Sequence, residues 1–318
     1  MGPTPRPIVI VGSPTALGGH FGGMERTPGE LRRLGLLDRL READGLAGVS
    51  WLDAGDATNE PGWVADDDPR AKNRERIVAF LPRLAEHLGA ALRDAGPEAR
   101  SLVLGGDCTS HAGALAGLRQ ARPELRLGLV WFDAHGDFNT PDTTPSGNVW
   151  GMPFAMICGR GEADLVAACD GPSVREEDAA LAGGQVLDET ESRMLAASAV
   201  AHFGAGMLAT DAGRAALGAW AAVVAARVDA WYIAVDLDAI DACEGLAVAM
   251  PESDGLSLDA AVQAIEAIAS TGQVLAVGVT AAMFGKDSGE DGAAEVTVGA
   301  VARLSAAALH EAEPAHAR

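Results

Sequence analysis

The sequence predicts an α/β fold in which a mostly parallel sheet is covered by helices on both faces. Short β-branched segments alternate with longer segments whose apolar residues recur at helical spacing, and this alternation is typical of parallel strands joined by crossover helices. Residues 129–132, LVWF, are apolar throughout, as expected for a central strand that is buried on both faces. The chain has 318 residues and is 48% hydrophobic, which suffices for a sizeable core and excludes a disordered chain.

The predicted elements alternate in the order that crossover units require. Strands are predicted at 7–11, 49–52, 101–104, 127–132, 231–235 and 274–279. Helices are predicted at 27–40, 74–95, 111–120, 212–227, 258–270 and 298–310, and the first begins at the cap signal Thr27-Pro28. The polar segments 56–73 and 284–294 are predicted to be loops. Because neither loop resembles an interdomain linker, we expect residues 1–318 to form one domain.

The composition argues against several classes of partner. Asp and Glu number 45 against 24 Lys and Arg, which gives a net charge of −21, and nucleic-acid phosphates and anionic membranes repel such a surface. No run of about 18 apolar residues predicts a membrane span, and the apolar N-terminal stretch is too short for a signal peptide. The four cysteines form no C-x-x-C pair, so we expect reduced thiols and a cytoplasmic protein.

Polar motifs follow three of the predicted strands, at the edge where parallel sheets bind ligands. They are GGDC at 105–108, DAHGD at 133–137 and DLD at 236–238. Asp133, His135 and Asp137 alternate along an extended segment, so that their side chains can converge on one side. Buried polar groups without compensation are unfavourable, and a bound cation removes that penalty.

The charge of these motifs favours two metal ions. Four carboxylates and one imidazole carry too much negative charge for one ion, whereas they suit two divalent ions that share a bridging carboxylate and a bridging water. The oxygen-rich ligands are those of Asp133, Asp137, Asp236 and Asp238, and they favour Mn²⁺ over zinc in a thiolate-rich site. One such motif alone more often caps the following helix, but three motifs, each after a predicted strand, favour a metal site.

These motifs resemble those of the arginase/agmatinase (ureohydrolase) family. The segment DAHGDFNTPDTTPSGNVWG at 133–151 is similar to the family's D-A-H-x-D-x-N-T-P-x-T-T-x-S-G-N-x-H-G loop. Residues 105–117 and 235–241 resemble its G-G-D-H-S and S-x-D-x-D-x-x-D segments, and the match covers most of the chain. The resemblance implies a three-layer α/β/α fold with a central, mostly parallel sheet, a pair of Mn²⁺ ions, hydrolysis of a C–N bond in a guanidine or amidine, and a homo-oligomer, either a trimer or a hexamer.

The resemblance also implies roles for individual residues. The implied metal ligands are Asp133, His135, Asp137, Asp236 and Asp238. Asp137 would in addition be catalytic, because it would accept a hydrogen bond from the hydroxide that attacks the substrate. Asn139, Thr144 and Ser146 match positions that hold a substrate α-carboxylate, and Asp188 matches the carboxylate that contacts the α-amino group.

The sequence departs from the family pattern at three positions. Cys108 stands where the family has a metal-binding histidine; we interpret it as a sixth ligand, because a thiolate can bind divalent ions, and its softness could shift the preference away from Mn²⁺. The alternative for Cys108 is an inert core thiol. Trp150 stands where the family has a proton-shuttling histidine. It either lines the pocket or stacks on a planar substrate, or it only packs against neighbouring side chains. No acid follows the strand at 274–279, where the family has a guanidinium-binding glutamate; Glu290, Asp291 or Glu295 could replace it.

These observations predict a metal-dependent hydrolase of a C–N bond in a guanidine- or amidine-like group on an amino-acid-type substrate. The missing glutamate favours a modified head group, such as that of N-hydroxyarginine. Two alternatives stay open: a catalytically silent homologue that binds a metabolite or a partner protein, and a different C–N reaction on the same scaffold, such as amide or formimino hydrolysis.

Overall fold

In the computed structural model, which describes residues 6–285 and 292–310, an eight-stranded parallel sheet forms the centre of the molecule. The strand order across the sheet is β2-β1-β3-β8-β7-β4-β5-β6. The strands are β1 Ile8–Ser13, β2 Trp51–Asp56, β3 Arg100–Gly105, β4 Leu127–Asp133, β5 Ala179–Gly183, β6 Ala201–Gly204, β7 Ala230–Asp236 and β8 Val274–Thr280. The most buried strands occupy the middle positions, and β2 and β6 form the edges.

All six predicted strands are present, and two further strands were missed. The missed strands are β5, with the sequence AALAG, and β6, with AHFG. Both are short and consist mainly of alanine and glycine, which lack the β-branched side chains that mark a strand in sequence. Pairing with β4 supplies what the local sequence lacks, because β5 is buried along its whole length.

Eleven α-helices occur within the described residues. They are α1 Thr27–Arg33, α2 Leu36–Glu42, α3 Arg74–Ala95, α4 Thr109–Ala121, α5 Pro153–Ile157, α6 Ala163–Ala168, α7 Glu189–Ala196, α8 Ala205–Leu208, α9 Asp211–Ala225, α10 Leu258–Ala269 and α11 Gly292–Leu309. The predicted helix at 27–40 is divided in two, because Gly35 adopts a left-handed conformation with φ of 83°. The short helices α5 to α8 were not predicted.

The core consists of two apolar layers, one on each face of the sheet. Alternate residues of β1 belong to opposite layers: Ile8 and Ile10 pack on one face, and Val9 and Val11 on the other. The first layer is covered by α1, α2 and α8 to α11, and the second by α3 to α7. The three-layer α/β/α architecture expected from the sequence is therefore confirmed.

The two predicted loops have different outcomes. Residues 57–73 contain neither helix nor strand, as predicted. Within 284–294, residues 286–291 lie outside the described residues, and the last three residues already belong to α11.

Helix α11 is the one described helix that is long and apolar enough to cross a membrane by length and composition. The rest of the molecule buries 61% of it. Val298, Val301 and Leu304 all pack into the first apolar layer, and such burial is typical of a core helix.

Candidate metal centre

The predicted site residues converge at the carboxyl ends of the central strands. β4 ends at Asp133 and β7 ends at Asp236, and these two strands are neighbours in parallel register, with Phe132 opposite Val235. Cys108 lies at the N-cap of α4, shortly after β3. Because parallel strands all end at one edge of the sheet, motifs that are far apart in sequence meet there.

Two groups of potential ligand atoms share one carboxylate. One group comprises Cys108, Asp133 and Asp236, and the other comprises Asp133, His135 and Asp238. Within each group the ligand atoms lie within 4.8 Å of one another. Asp133 belongs to both groups, so the geometry is that of two adjacent cation sites with one shared carboxylate.

Hydrogen bonds hold the shared carboxylate in place. Trp131 Nε1 donates to Asp133 Oδ2 at 2.9 Å, and the backbone N–H of His135 donates to Asp133 Oδ1 at 2.7 Å. On the neighbouring strand, the backbone N–H of Asp238 donates to Asp236 Oδ1 at 2.9 Å. The Trp131 indole and two backbone N–H groups thus orient these carboxylates before any ion binds.

Cys108 faces the carboxylates directly. Its Sγ donates a hydrogen bond to Asp236 Oδ2 at 2.8 Å. Burial, together with the negative charges of Asp236, Asp137 and Asp133, raises the pKa of the Cys108 thiol well above its usual value. The thiol is therefore neutral unless a cation compensates its charge.

Asp137 reaches the same centre from a left-handed backbone position. Its φ is 49°, a left-handed conformation that is uncommon for residues other than glycine, although aspartate adopts it more often than most. It is 4% exposed, and its Oδ2 has no hydrogen-bond partner among the described residues. Burial and the nearby charges of Asp133 and Asp236 raise the pKa of Asp137 well above its ordinary value. An unpaired carboxylate oxygen of this kind is what a cation or a bound water would satisfy.

His135 lies between carboxylates on both sides. Its Nδ1 is 3.1 Å from Asp238 Oδ2 and 3.4 Å from Asp133 Oδ1, and its Nε2 is 3.6 Å from Glu252 Oε1. Burial alone would lower the pKa of His135, but Asp133 and Asp238 outweigh that effect and raise it. Burial, followed by the charge of Asp133, raises the pKa of Asp238 to about 6.

The donor set therefore fits a pair of divalent cations. The buried carboxylates raise one another's proton affinity, and a proton on His135 compensates part of their charge. Divalent ions would compensate this charge more fully, and the oxygen, imidazole and thiol donors are all groups that bind transition metals. The structure thus contains a candidate Asp/His metal site at the predicted place.

A cavity of about 400 Å³ opens onto this centre. Of the residues implied in substrate binding, Thr144, Ser146, Trp150 and Asp188 line it. Asn139 does not; it is 5% exposed, and its Nδ2 donates to Asp188 Oδ2 at 3.0 Å. The position of Asn139 therefore suits the orientation of Asp188 better than direct contact with a ligand.

Two glutamates in the cavity wall were missed by the sequence analysis. Glu191, on α7, accepts a hydrogen bond from the backbone N–H of Phe138 at 2.9 Å, and burial raises its pKa to about 7. Glu252 lies in the loop after β7. Neither residue belongs to a motif at a strand end. The one sequence signal for Glu191 is its position three residues after Asp188, and the sequence around Glu252 contains no signal of a site.

No acid replaces the family's glutamate directly after β8 in the described part of the chain. Ala281 lies there and lines the cavity, with a left-handed φ of 62°. Glu295 is on α11, where it is exposed and forms an ion pair with Arg39. Glu290 and Asp291 lie outside the described residues.

Trp150 stands in a small aromatic cluster beside the cavity. Its ring contacts those of His20 and Phe21 edge-on, at centroid distances of 5.3 and 5.4 Å. Trp150 thus packs against other rings and also forms part of the cavity wall.

Comparison with known proteins agrees with this geometry. A sequence model of the arginase family matches residues 6–305. An arginase of Bacillus caldovelox is 30% identical over 270 residues, covering 83% of this chain and 86% of that protein. An arginase of Bacillus subtilis (strain 168) is 33% identical over 190 residues, covering 59% of this chain and 60% of that protein. The crystal structure of arginase from Bacillus cereus aligns with a TM-score of 0.82 at 25% identity, covering 97% of this chain and 100% of that chain.

Proposed function

The chain belongs to the arginase family, and on that premise we propose that it is a metal-dependent hydrolase of a C–N bond in a guanidine- or amidine-like group of an amino-acid substrate. The observation that carries this proposal is the pair of ligand groups sharing Asp133 beside a cavity. Among the described residues that line this cavity, none is a lysine or an arginine. The cavity therefore suits cations, both metal ions and a basic head group.

We assign the ligands by group. Cys108, Asp133 and Asp236 would hold one divalent ion, and Asp133, His135 and Asp238 the other. Asp137, which lines the same cavity, would be a further ligand. When bound, a metal pair in such a site lowers the pKa of water and polarises the bond to be cleaved. Mn²⁺ is the proposed ion because oxygen donors predominate, although Cys108 favours softer ions such as Zn²⁺.

The chain's own residues orient the reactants. The unpaired Oδ2 of Asp137 is free to accept a hydrogen bond from the attacking water. At the other end of the cavity, the hydroxyls of Thr144 and Ser146 can donate to an α-carboxylate, and Asp188 can accept from an α-ammonium. Asn139 fixes Asp188 through its amide, so it contributes indirectly.

The cavity favours a head group that differs from a simple guanidinium. Ala281, in place of an acid after β8, removes a charge-assisted hydrogen bond of about 1.5–3 kcal/mol. Trp150 can donate a hydrogen bond but cannot relay a proton at neutral pH. A less basic head group, such as an N-hydroxyguanidine, depends less on a charged partner after β8.

The test is turnover of a substrate panel. Arginine, N-hydroxyarginine and other amidine-bearing amino acids would be incubated with protein loaded with Mn²⁺, Ni²⁺, Zn²⁺ or Fe²⁺, and the release of urea or a substituted urea measured. We expect the modified head groups to be preferred over arginine, and Asp137→Asn to lower kcat by at least about 100-fold, within the range for loss of a proton-transfer group. No turnover of any compound with any metal would contradict the proposal.

A catalytically silent protein that binds a metabolite is the second candidate. The two observations that favour it are Trp150 and Ala281, which stand where the family has groups that take part in the reaction. It predicts saturable binding of an amino acid in the cavity without any product, which calorimetry and product analysis together would distinguish.

A further inference from the structure

One carboxylate outside both ligand groups faces His135 from the side opposite to the cluster. Glu252 Oε1 lies 3.6 Å from His135 Nε2, and both side chains are 26% exposed. The other ring nitrogen, Nδ1, faces Asp133 and Asp238. The imidazole is thus placed between the proposed ion and Glu252.

The chemistry of imidazole gives this arrangement a direction. An ion held by Asp133 and Asp238 would bind the lone pair of Nδ1, the ring nitrogen that faces these carboxylates. The proton of neutral His135 must then be on Nε2, and that N–H needs an acceptor. Histidine ligands commonly donate their second N–H to a carboxylate, which fixes the tautomer and the ring orientation.

We propose that Glu252 is a positioning residue for the metal centre, accepting a hydrogen bond from His135 Nε2 and so holding Nδ1 toward Asp133 and Asp238. This inference rests on the proposed function, because it requires that His135 binds a metal ion. It adds a residue that no strand-end motif contains. The separation of 3.6 Å is longer than a hydrogen bond, so the proposal requires the two side chains to move closer together when an ion binds.

The backbone around Glu252 supports a fixed position. The carbonyl of Glu252 accepts from Ala242 N at 2.9 Å, and Asp241 and Leu256 close the same loop, with Asp241 N donating to Leu256 O at 2.8 Å. Ala249 N donates to Ala281 O at 2.9 Å, which ties the loop to the end of β8. This loop directly follows Asp238, so one short segment carries both a proposed ligand and the group that orients the other.

The experiment is a metal titration of the metal-free protein, without substrate. Mn²⁺ and Zn²⁺ would be titrated calorimetrically into wild type, Glu252→Ala and Glu252→Gln. We expect Glu252→Ala to weaken the binding of one of the two ions by roughly 10- to 100-fold. The loss should be smaller in Glu252→Gln, which keeps an acceptor oxygen.

The matched control is Asp254→Asn, which removes one negative charge from the same loop. Asp254 is exposed and does not line the cavity, so its substitution should change neither affinity by more than about twofold if only contact with His135 matters. Its φ is 61°, a conformation that asparagine tolerates. Circular dichroism of each variant establishes that it is folded.

A spectroscopic measurement gives an independent readout. In the diamagnetic Zn²⁺-loaded protein, ¹⁵N NMR should show His135 protonated at Nε2, with the N–H signal protected from solvent exchange in wild type and exposed in Glu252→Ala. The inference would be overturned if Glu252→Ala bound both ions with the affinities of wild type. It would also be overturned if the substitution raised only KM, because that result would indicate direct contact between Glu252 and the substrate. If wild-type protein bound fewer than two ions, the proposed two-ion centre would be wrong. If Glu252→Ala weakened ion binding as expected but wild type turned over no substrate, only the proposed activity would be wrong.

Discussion

At Cys108, a proton and a metal ion would compete for the same sulfur atom. Its thiol donates to Asp236, and the surrounding carboxylates strongly disfavour the thiolate. Ligation by Cys108 therefore requires that a thiol proton be released as the ion binds. This coupling is measurable, and an inert core thiol would not show it.

Cys108→Ala should weaken the binding of one ion by at least about 10-fold, because the loss of a ligand exceeds the usual effect of losing an outer partner. It should also remove one proton from those released on metal binding. Calorimetry in two buffers of different ionisation enthalpy measures both quantities. Cys158→Ala is the control, since Cys158 follows α5 and does not line the cavity. Unchanged affinity and proton release in Cys108→Ala would leave Cys108 as a packing residue.

At the scale of residues, the sequence predicted the groups that follow strands and missed two glutamates that belong to no such motif, Glu191 on α7 and Glu252 in the loop after β7. Asp133 and Asp236 could be placed because strand ends are recognisable and lie at one edge of the sheet. Glu252 could not, since its position depends on how the loop after β7 folds back. The orientation of Asn139 toward Asp188 was also beyond the sequence, because a motif does not specify which of its polar groups face inward.

At the scale of elements, α4 is joined to two strands through one buried histidine. His111 Nδ1 is 2.9 Å from the Tyr232 hydroxyl on β7, and its Nε2 is 3.1 Å from Thr280 Oγ1 on β8. The side chain is completely buried, and this burial lowers its pKa to about 3. His111 does not line the cavity, and its two hydrogen bonds connect α4 to β7 and β8.

This burial makes stability depend on pH. Between pH 3 and 6.5, His111 binds a proton in the unfolded chain but not in the folded one, so stability decreases as the pH falls through this range, by up to about 1.4 kcal/mol per pH unit. Between pH 6.5 and 5.0, the free energy of unfolding of metal-free His111→Gln, measured with urea, should fall by about 1.6 kcal/mol less than that of wild type.

The control is Tyr232→Phe, which removes a hydrogen bond of the histidine but keeps the buried imidazole. It should be less stable than wild type at every pH, with the same dependence on pH. If His111→Gln also kept the wild-type slope, the buried histidine would not be the source of the pH dependence.

The elements themselves were predicted unevenly, for reasons of side-chain chemistry. The central strands and long helices have clear periodicity, and α3 has the predicted bounds, Arg74–Ala95. Strands β5 and β6 were not predicted because small residues carry little strand signal. The break at Gly35 was not predicted because glycine within a helical pattern is often tolerated.

At the scale of the whole molecule, parallel topology concentrates negative charge at one edge of the sheet. The chain has a net charge of −21, and Asp133, Asp236 and Asp238 meet where β4 and β7 end. Burial raises the pKa of Asp236 well above its ordinary value. Without metal, the buried carboxylates must therefore either be protonated in part or repel one another. The chain thus folds around charges that divalent ions would neutralise, and metal binding should stabilise the whole fold.

Thermal unfolding of wild type and Asp133→Asn tests this coupling. At a free Mn²⁺ concentration of 100 Kd, each ion should stabilise wild type by about 2.7 kcal/mol. Two ions together should raise the Tm in scanning calorimetry by about 8 °C. One transition is expected if the chain is one domain. Asp133→Asn removes the carboxylate shared by both groups, so it should lose most of this rise.

Without metal, the Tm of Asp133→Asn should stay near that of wild type, because relief of repulsion offsets the loss of one of the two hydrogen bonds to Asp133. A full Mn²⁺-induced rise in Asp133→Asn would show that the two groups do not depend on a shared ligand, whereas Asp254→Asn should retain the wild-type rise.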